Sequence, residues 1–238
     1  MPPTPAAFPR PTPAWPPPSK SHARRRRRGL GAALLVLATH AAATDLELES
    51  AEAVNEGQLH FLDAPPARPV HHHQNRIRID AASLDSGWVT LSQCHDHLDA
   101  VPRTQITFRE GFVRDLRVDV AHGIDRAWVE GASVQLQEVA RGARLCLSAQ
   151  TRALRSAGPG AFHLVNGPYM RRFLDGYYPM RVTLEIDYPP QALRPTGVDP
   201  PPQPGLAVAE EPGKLRLDAL FEGELRTRIE FVRPRGAE

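Results

Sequence analysis

The sequence predicts an all-β fold, an antiparallel β-sandwich or partly open barrel, and three observations carry that expectation. Met180-Arg181-Val182-Thr183-Leu184-Glu185-Ile186-Asp187-Tyr188 alternates apolar and polar residues at every position. In an extended chain this rhythm puts the apolar side chains on one face and the polar ones on the other, which no helix achieves. Turn signals recur at short intervals, among them Asp85-Ser86-Gly87, Glu110-Gly111, His122-Gly123, Glu130-Gly131 and Gly158-Pro159-Gly160. No amphipathic stretch of about 12 residues or more at helical period separates them, so layered sheets are the economical way to bury the apolar faces.

The first 43 residues stand apart from that pattern. Residues 1–28 form a proline- and arginine-rich leader, with 9 of the 25 prolines in the first 20 positions, a composition that cannot build a packed unit. Arg24 to Arg28 then run directly into the apolar residues 29–43, which end in Ala41-Ala42-Ala43. A basic flank, a short apolar core and a small-residue cleavage site read as an export signal, with the mature chain starting near Thr44 and a flexible stretch over 44–56. The 15-residue run is short against the roughly 20 needed to span a bilayer, so no stable span is expected after cleavage. Retention as an inner-membrane anchor through residues 29–43 is the alternative. General secretion is favoured over a twin-arginine route, because Arg28 or Gly29 occupies the position where a large apolar residue usually follows the pair.

Removing the leader changes the electrostatics. The whole chain carries 29 basic and 27 acidic residues, but seven of the basic ones lie in the first 43 positions, leaving 22 against 27, a net of −5. A nucleic-acid partner, which the full-length charge would invite, is not expected.

Residues 57–233 read as one sandwich domain, of a length that supports a substantial core. Strands are expected near 58–62, 75–80, 88–94, 104–108, 112–120, 124–130, 132–139, 143–154, 161–165 and 180–188. One short helix is expected near 168–175, where Pro168 suits a first helical position and Tyr169, Met170, Phe173 and Leu174 have helical spacing. Seven prolines within 189–204 predict a stiff outer connection. Alternation in Leu215-Leu217-Ala219-Phe221 and Leu225-Thr227-Ile229-Phe231 about Gly223 predicts a C-terminal hairpin within 206–232, too small to fold alone and hence packed on the same sandwich.

Three groups of residues carry chemistry. Cys94 and Cys146 are the only cysteines, and in an exported chain a bridge between them is the default. It would contribute about 4 kcal/mol by constraining the unfolded chain. His71 and His73 share one face of an extended segment and His95 and His97 share another, so the pairs are candidate zinc or copper ligands. Against that, histidines at strand ends are commonly solvated or bonded to backbone, neither cluster has a recognised metal spacing, and no cofactor is otherwise implied. Tyr169, Arg171, Arg172, Phe173, Tyr177 and Tyr178 bring tyrosine and arginine together in ten residues, a composition enriched where surfaces recognise partners; the competing reading is that these aromatics close the core before the strand at Met180.

Catalytic signatures are absent: there is no GxSxG, phosphate-binding glycine loop, HExxH or CxxCH. The stretch Asn166-Gly167-Pro168-Tyr169-Met170-Arg171-Arg172-Phe173-Leu174-Asp175-Gly176-Tyr177-Tyr178-Pro179-Met180, with Cys94-His95 and Ala127-Trp128-Val129-Glu130-Gly131, resembles an exported (periplasmic) proteobacterial protein family of unknown function, over most of residues 57–232. The resemblance implies an envelope location and transfers no site residue. The expectation is therefore a secreted, periplasmic, non-enzymatic β-sandwich that binds an envelope protein or glycan. The alternatives are a periplasmic zinc- or copper-binding protein using the histidine pairs, and a hydrolase without a sequence signature.

Overall fold

Residues 55–234 are described by the computed structural model; the expected leader, signal and most of the flexible 44–56 segment lie outside the described residues. The alternating segments become strands β1 (His60–Phe61), β2 (His72–Arg78), β3 (Val89–Leu98), β4 (Val101–Thr107), β5 (Val113–Glu130) and β6 (Ser133–Thr151). They continue as β7 (Leu154–Gly158), β8 (Ala161–Tyr169), β9 (Arg172–Phe173), β10 (Gly176–Tyr177) and β11 (Met180–Asp187). The last are β12 (Arg194–Asp199), β13 (Leu206–Glu211), β14 (Lys214–Glu222) and β15 (Leu225–Val232).

Nine strands form the larger sheet, in the order β1, β14, β11, β2, β3, β6, β4, with β13 also against β14 and β5 also against β6. Its one parallel pairing joins β11 to β2, Arg181 opposite His72 through Asp187 opposite Arg78. The smaller sheet is β12-β15-β8-β7, all antiparallel. The two face each other as a sandwich. Leu184 and Ile186 of β11 and Leu215 and Leu217 of β14 meet Phe162 and Leu164 of β8 and Ile229 and Phe231 of β15 in one buried cluster. Leu164, Leu184, Ile186 and Ile229 are wholly buried, each contributing about 1.5–3 kcal/mol by leaving water. A separate cluster lies beneath the β4–β5–β6 extension, where Val134, Leu136, Leu145 and Leu147 are covered in part by Ile106, Leu116 and Val118.

Four expectations are corrected. The segment 168–175 is not helical: β8 runs through Tyr169, which pairs with Leu225 of β15, and β9 and β10 make a small hairpin. Helical spacing there yields to the sheet ladder and to a buried tyrosine ring. The one short helix among the described residues is α1 (Ser83–Ser86), which Gly87 ends in the left-handed region with its N–H on the Ser83 carbonyl at 2.8 Å. Second, β14 and β15 are not a hairpin. They belong to different sheets and face each other across the core, whereas β14 makes its hairpin with β13. Alternation is the same in both arrangements, because either one buries every second residue. Third, the proline-rich segment is not merely a connection: it supplies β12, an edge strand whose register shifts between Pro195 and Gly197, as expected where a residue lacks its N–H. Fourth, β5 and β6 are each continuous where two strands were expected, because Gly123 and Gly142 adopt positive φ inside the strands and bulge rather than end them.

Candidate functional site

Strand alternation sorts the histidines. On β2 and the residue before it, His71, His73 and Asn75 point toward the space between the sheets, while His72 points to the outer face of the larger sheet. On β3, Gln93 and His95 point inward and Cys94 outward. The structure thus brings together three of the four predicted metal-site histidines: the His73 and His95 rings lie 4.2 Å apart between centroids, and those of His71 and His95 5.2 Å apart. His97 does not join them. It sits at positive φ where β3 breaks register against β6, exposed to solvent on the other face.

Four of the six ring nitrogens of His71, His73 and His95 are hydrogen-bonded within the inward cluster. The Gln93 amide donates to His95 Nε2 at 2.6 Å, leaving His95 Nδ1–H to donate to His71 Nε2 at 3.0 Å. His73 Nε2–H donates to Asn75 Oδ1 at 3.0 Å, and the Asn75 amide donates to the Tyr169 hydroxyl at 2.8 Å. Such a relay needs neutral rings, and burial supplies them. Desolvation lowers His71 to about 4 and His73 to about 3, and holds His95 well below its ordinary value. Among the described residues no three His, Cys, Asp or Glu side chains stand where they would hold a metal ion.

The predicted aromatic and basic residues divide. Tyr169 is buried against His73, with ring centroids 4.9 Å apart in an edge-to-face arrangement. Arg171 forks onto Asp99 at 2.7 and 2.8 Å and also donates to the Pro179 carbonyl at 3.2 Å. The Arg171 hydrogen bonds hold the Asp99 carboxyl below its usual range. Its guanidinium stacks near Phe173 and Tyr178, and Arg172 covers Tyr177. Of the six, Tyr169 is buried, Arg171, Tyr177 and Tyr178 are half-buried and Arg172 and Phe173 are exposed; Phe173 and Leu174, at the tip of the β9–β10 hairpin, are the large exposed apolar groups of this stretch.

Cys94 and Cys146 are direct partners across β3 and β6, with Cα atoms 4.1 Å apart, and form a disulfide. The bridge ties the β5–β6 extension to the strand that carries His95.

Two concavities flank β2. The outer one, about 910 Å³, lies between the 62–70 segment and the outer faces of β14, β11 and β13. Its walls include Leu62, Pro66, Val70, Leu206 and Leu220, and its polar groups include His72, His97, Arg181 and Asp218. Arg181 forks onto Asp218 at 2.7 and 2.8 Å; Thr183 donates to Asp218 at 3.2 Å and accepts from His72 Nε2–H at 2.8 Å. Burial opposes ionisation of Asp218, yet the Arg181 and Thr183 hydrogen bonds outweigh it and keep the carboxyl below its usual range. The Thr183 hydroxyl, itself buried, is thus a structural bridge and not an available nucleophile. The inner concavity, about 400 Å³, opens between the sheets beside His73, Asn75 and Gln93. Neither concavity was foreseen. The alternating strands revealed faces but not which loops would overhang them, and the nearest available signal was the run of prolines at 65, 66 and 69.

No protein-family model matches the chain, and no curated protein matches it in sequence. Among solved structures it is similar to the M1 zinc metallopeptidase from Deinococcus radiodurans, with 13% identity and a TM-score of 0.37 over 75% of this chain and 43% of that one. A mutant of the M1 zinc metallopeptidase from Deinococcus radiodurans bound to a Tyr-Ser-Ala substrate gives 12% identity and a TM-score of 0.39, over 74% of this chain and 43% of that chain. The chain spans less than half the length of these proteins.

Proposed function

We propose that this protein is an exported, periplasmic, non-enzymatic binding protein that takes an apolar segment of an envelope partner into the cleft on the outer face of its larger sheet. The observation that carries the reading is the cleft itself. Its size falls in the range of ligand sites, its walls are mainly aliphatic, and a few fixed polar groups line it. A peptide segment suits this lining better than a glycan, since no Phe, Tyr or Trp is among the lining residues to stack on a sugar, while His72, His97 and the Arg181–Asp218 pair can meet a peptide backbone. The basic, apolar and small-residue order of residues 24–43 supports export, as does the cross-strand disulfide, which suits an oxidising compartment.

The test places a photo-crosslinking residue at Ala207, which is exposed and lines the cleft, and at Ser156 on the smaller sheet as a control, in the full chain expressed in cells with an envelope. The expected result is a periplasmic, leader-free protein that forms one defined adduct from 207, none from 156, and none from 207 when Leu220→Trp fills the cleft. Equal adducts from both positions, or an adduct indifferent to Leu220→Trp, would reject the reading.

A further inference from the structure

The inner concavity has a different chemistry, independent of the outer cleft. Three arginines, Arg109, Arg152 and Arg155, line it, and no aspartate or glutamate does. Among the described residues none of the three forms an ion pair. Two of them share one aromatic ring, and the third meets the same residue through its backbone. The Arg109 guanidinium lies 4.1 Å from the Phe112 centroid and that of Arg155 5.8 Å from it, while the Arg152 backbone N–H donates to the Phe112 carbonyl at 3.0 Å. Asp85 lines the neighbouring depression behind Arg152 and Arg155 without reaching ion-pair distance of either.

Clustering three like charges costs energy unless an anion sits among them. Inside the rim the walls are apolar, with Ile77, Leu91 and Phe108. The side chain of Asn166 also lines the concavity, and its Nδ2, like Thr227 Oγ1 opposite it on β15, is buried with no hydrogen-bond partner among the described residues. A buried donor without a partner costs about 1–3 kcal/mol, so a group that persists calls for an acceptor.

We propose that this concavity is a binding site for a small organic anion. Its carboxylate or phosphate meets the guanidiniums at the rim, a compact apolar body lies along Ile77, Leu91 and Phe108, and an acceptor atom reaches Asn166. The planar guanidinium fork pairs with either anion bidentately, and a volume near 400 Å³ admits a body of one ring or a short chain.

Calorimetric titration of the full, disulfide-bonded chain with 3-phenylpropionate, phenyl phosphate and neutral 3-phenylpropionamide tests the site. Saturable binding of at least one anion is expected, at least about tenfold tighter than the amide and weakened by salt; the stronger of the two identifies the head group. Arg109→Gln/Arg155→Gln, both at exposed positions, should weaken the anion at least about tenfold with an unchanged melting temperature. Ala207→Trp, in the outer cleft, should leave it unaltered. Equal affinity for anion and amide, no saturable binding of either anion, or loss of binding in Ala207→Trp with retention in the arginine variant would overturn the proposal. Because none of these readouts involves the envelope partner, failure here and failure of the outer-cleft reading are separately visible.

Discussion

Acid should unfold this protein through its inward histidines before most carboxylates titrate. Burial holds His71 at about 4 and His73 at about 3, with His95 well below its ordinary value, whereas each would titrate at about 6.5 in an unfolded chain. For a group depressed in the folded state, the unfolded chain binds more protons between the two values. The associated stability is therefore complete above about pH 6.5 and is lost as pH falls toward about 4 for His71 and about 3 for His73. Between about pH 6 and 5 each such ring removes about 1 kcal/mol, so the cluster removes about 3–4 kcal/mol, a large share of the 5–15 kcal/mol typical of a domain. Urea unfolding followed by circular dichroism at pH 7, 6 and 5, with the disulfide intact, measures it directly. His73→Gln should reduce the slope by about one proton, whatever it does to stability at pH 7. A change below about 1 kcal/mol between pH 7 and 5 would mean that the rings are charged or solvated in the native state, and the relay from Gln93 through His95 to His71 would be wrong.

Further outcomes follow from the packing. Cys94→Ser/Cys146→Ser should lose up to about 4 kcal/mol through the freed unfolded chain, and two alkylatable thiols in unreduced native protein would contradict the bridge. Arg171→Lys keeps the charge but loses the fork on Asp99 and should cost about 1–2 kcal/mol; a double-mutant cycle with Asp99→Asn that shows no coupling would remove the pair as the anchor of the β9–β10 hairpin. Gly223→Ala should cost well over about 1 kcal/mol, since its φ is +89° and a Cβ would lie 2.0 Å from the Gln58 carbonyl oxygen. Gly131→Ala, also at positive φ but with open space around it, should cost less, and equal losses would show that crowding at the crossing between the sheets is immaterial.

The fold was legible where one face of a strand is buried and the other is not. Residues 180–188 alternate because β11 lies in the middle of a sheet that covers one core, and the same rule located β14 and β15. What the rule does not contain is partner choice. Leu217 and Ile229 are both buried whether their strands pair or face each other, and the crossing at Gly223 is decided by the approach of Gln58, more than 160 residues away in sequence. Helical spacing at 169, 170, 173 and 174 misled for a related reason: Tyr169 is held by a hydrogen bond to Asn75 and by Leu225, contacts that no local window includes.

The histidines show how far a period-two pattern reaches into function. It placed 71 with 73 and 95 with 97, and adjacent antiparallel strands then put His73 opposite His95. The positive φ at His97 breaks the second pairing, because a single left-handed residue turns the chain off the face it was following. The triplet at 71–73 consequently serves two surfaces. Its outer ring belongs to the outer cleft with Arg181 and Asp218, while its inner rings close the polar end of the core. On the inside Asp99 favours a charged His71 ring but burial outweighs it, and on the outside burial and Arg181 outweigh Asp218 at His72, which Thr183 links to that carboxylate. Acid sensitivity and ligand recognition are thereby carried by neighbouring residues of one strand. Because burial lowers the His72 ring as well, His72→Gln should alter the cleft and reduce the pH slope, but by less than the one proton lost in His73→Gln, and an equal or larger reduction would show that the two faces of β2 are not separate.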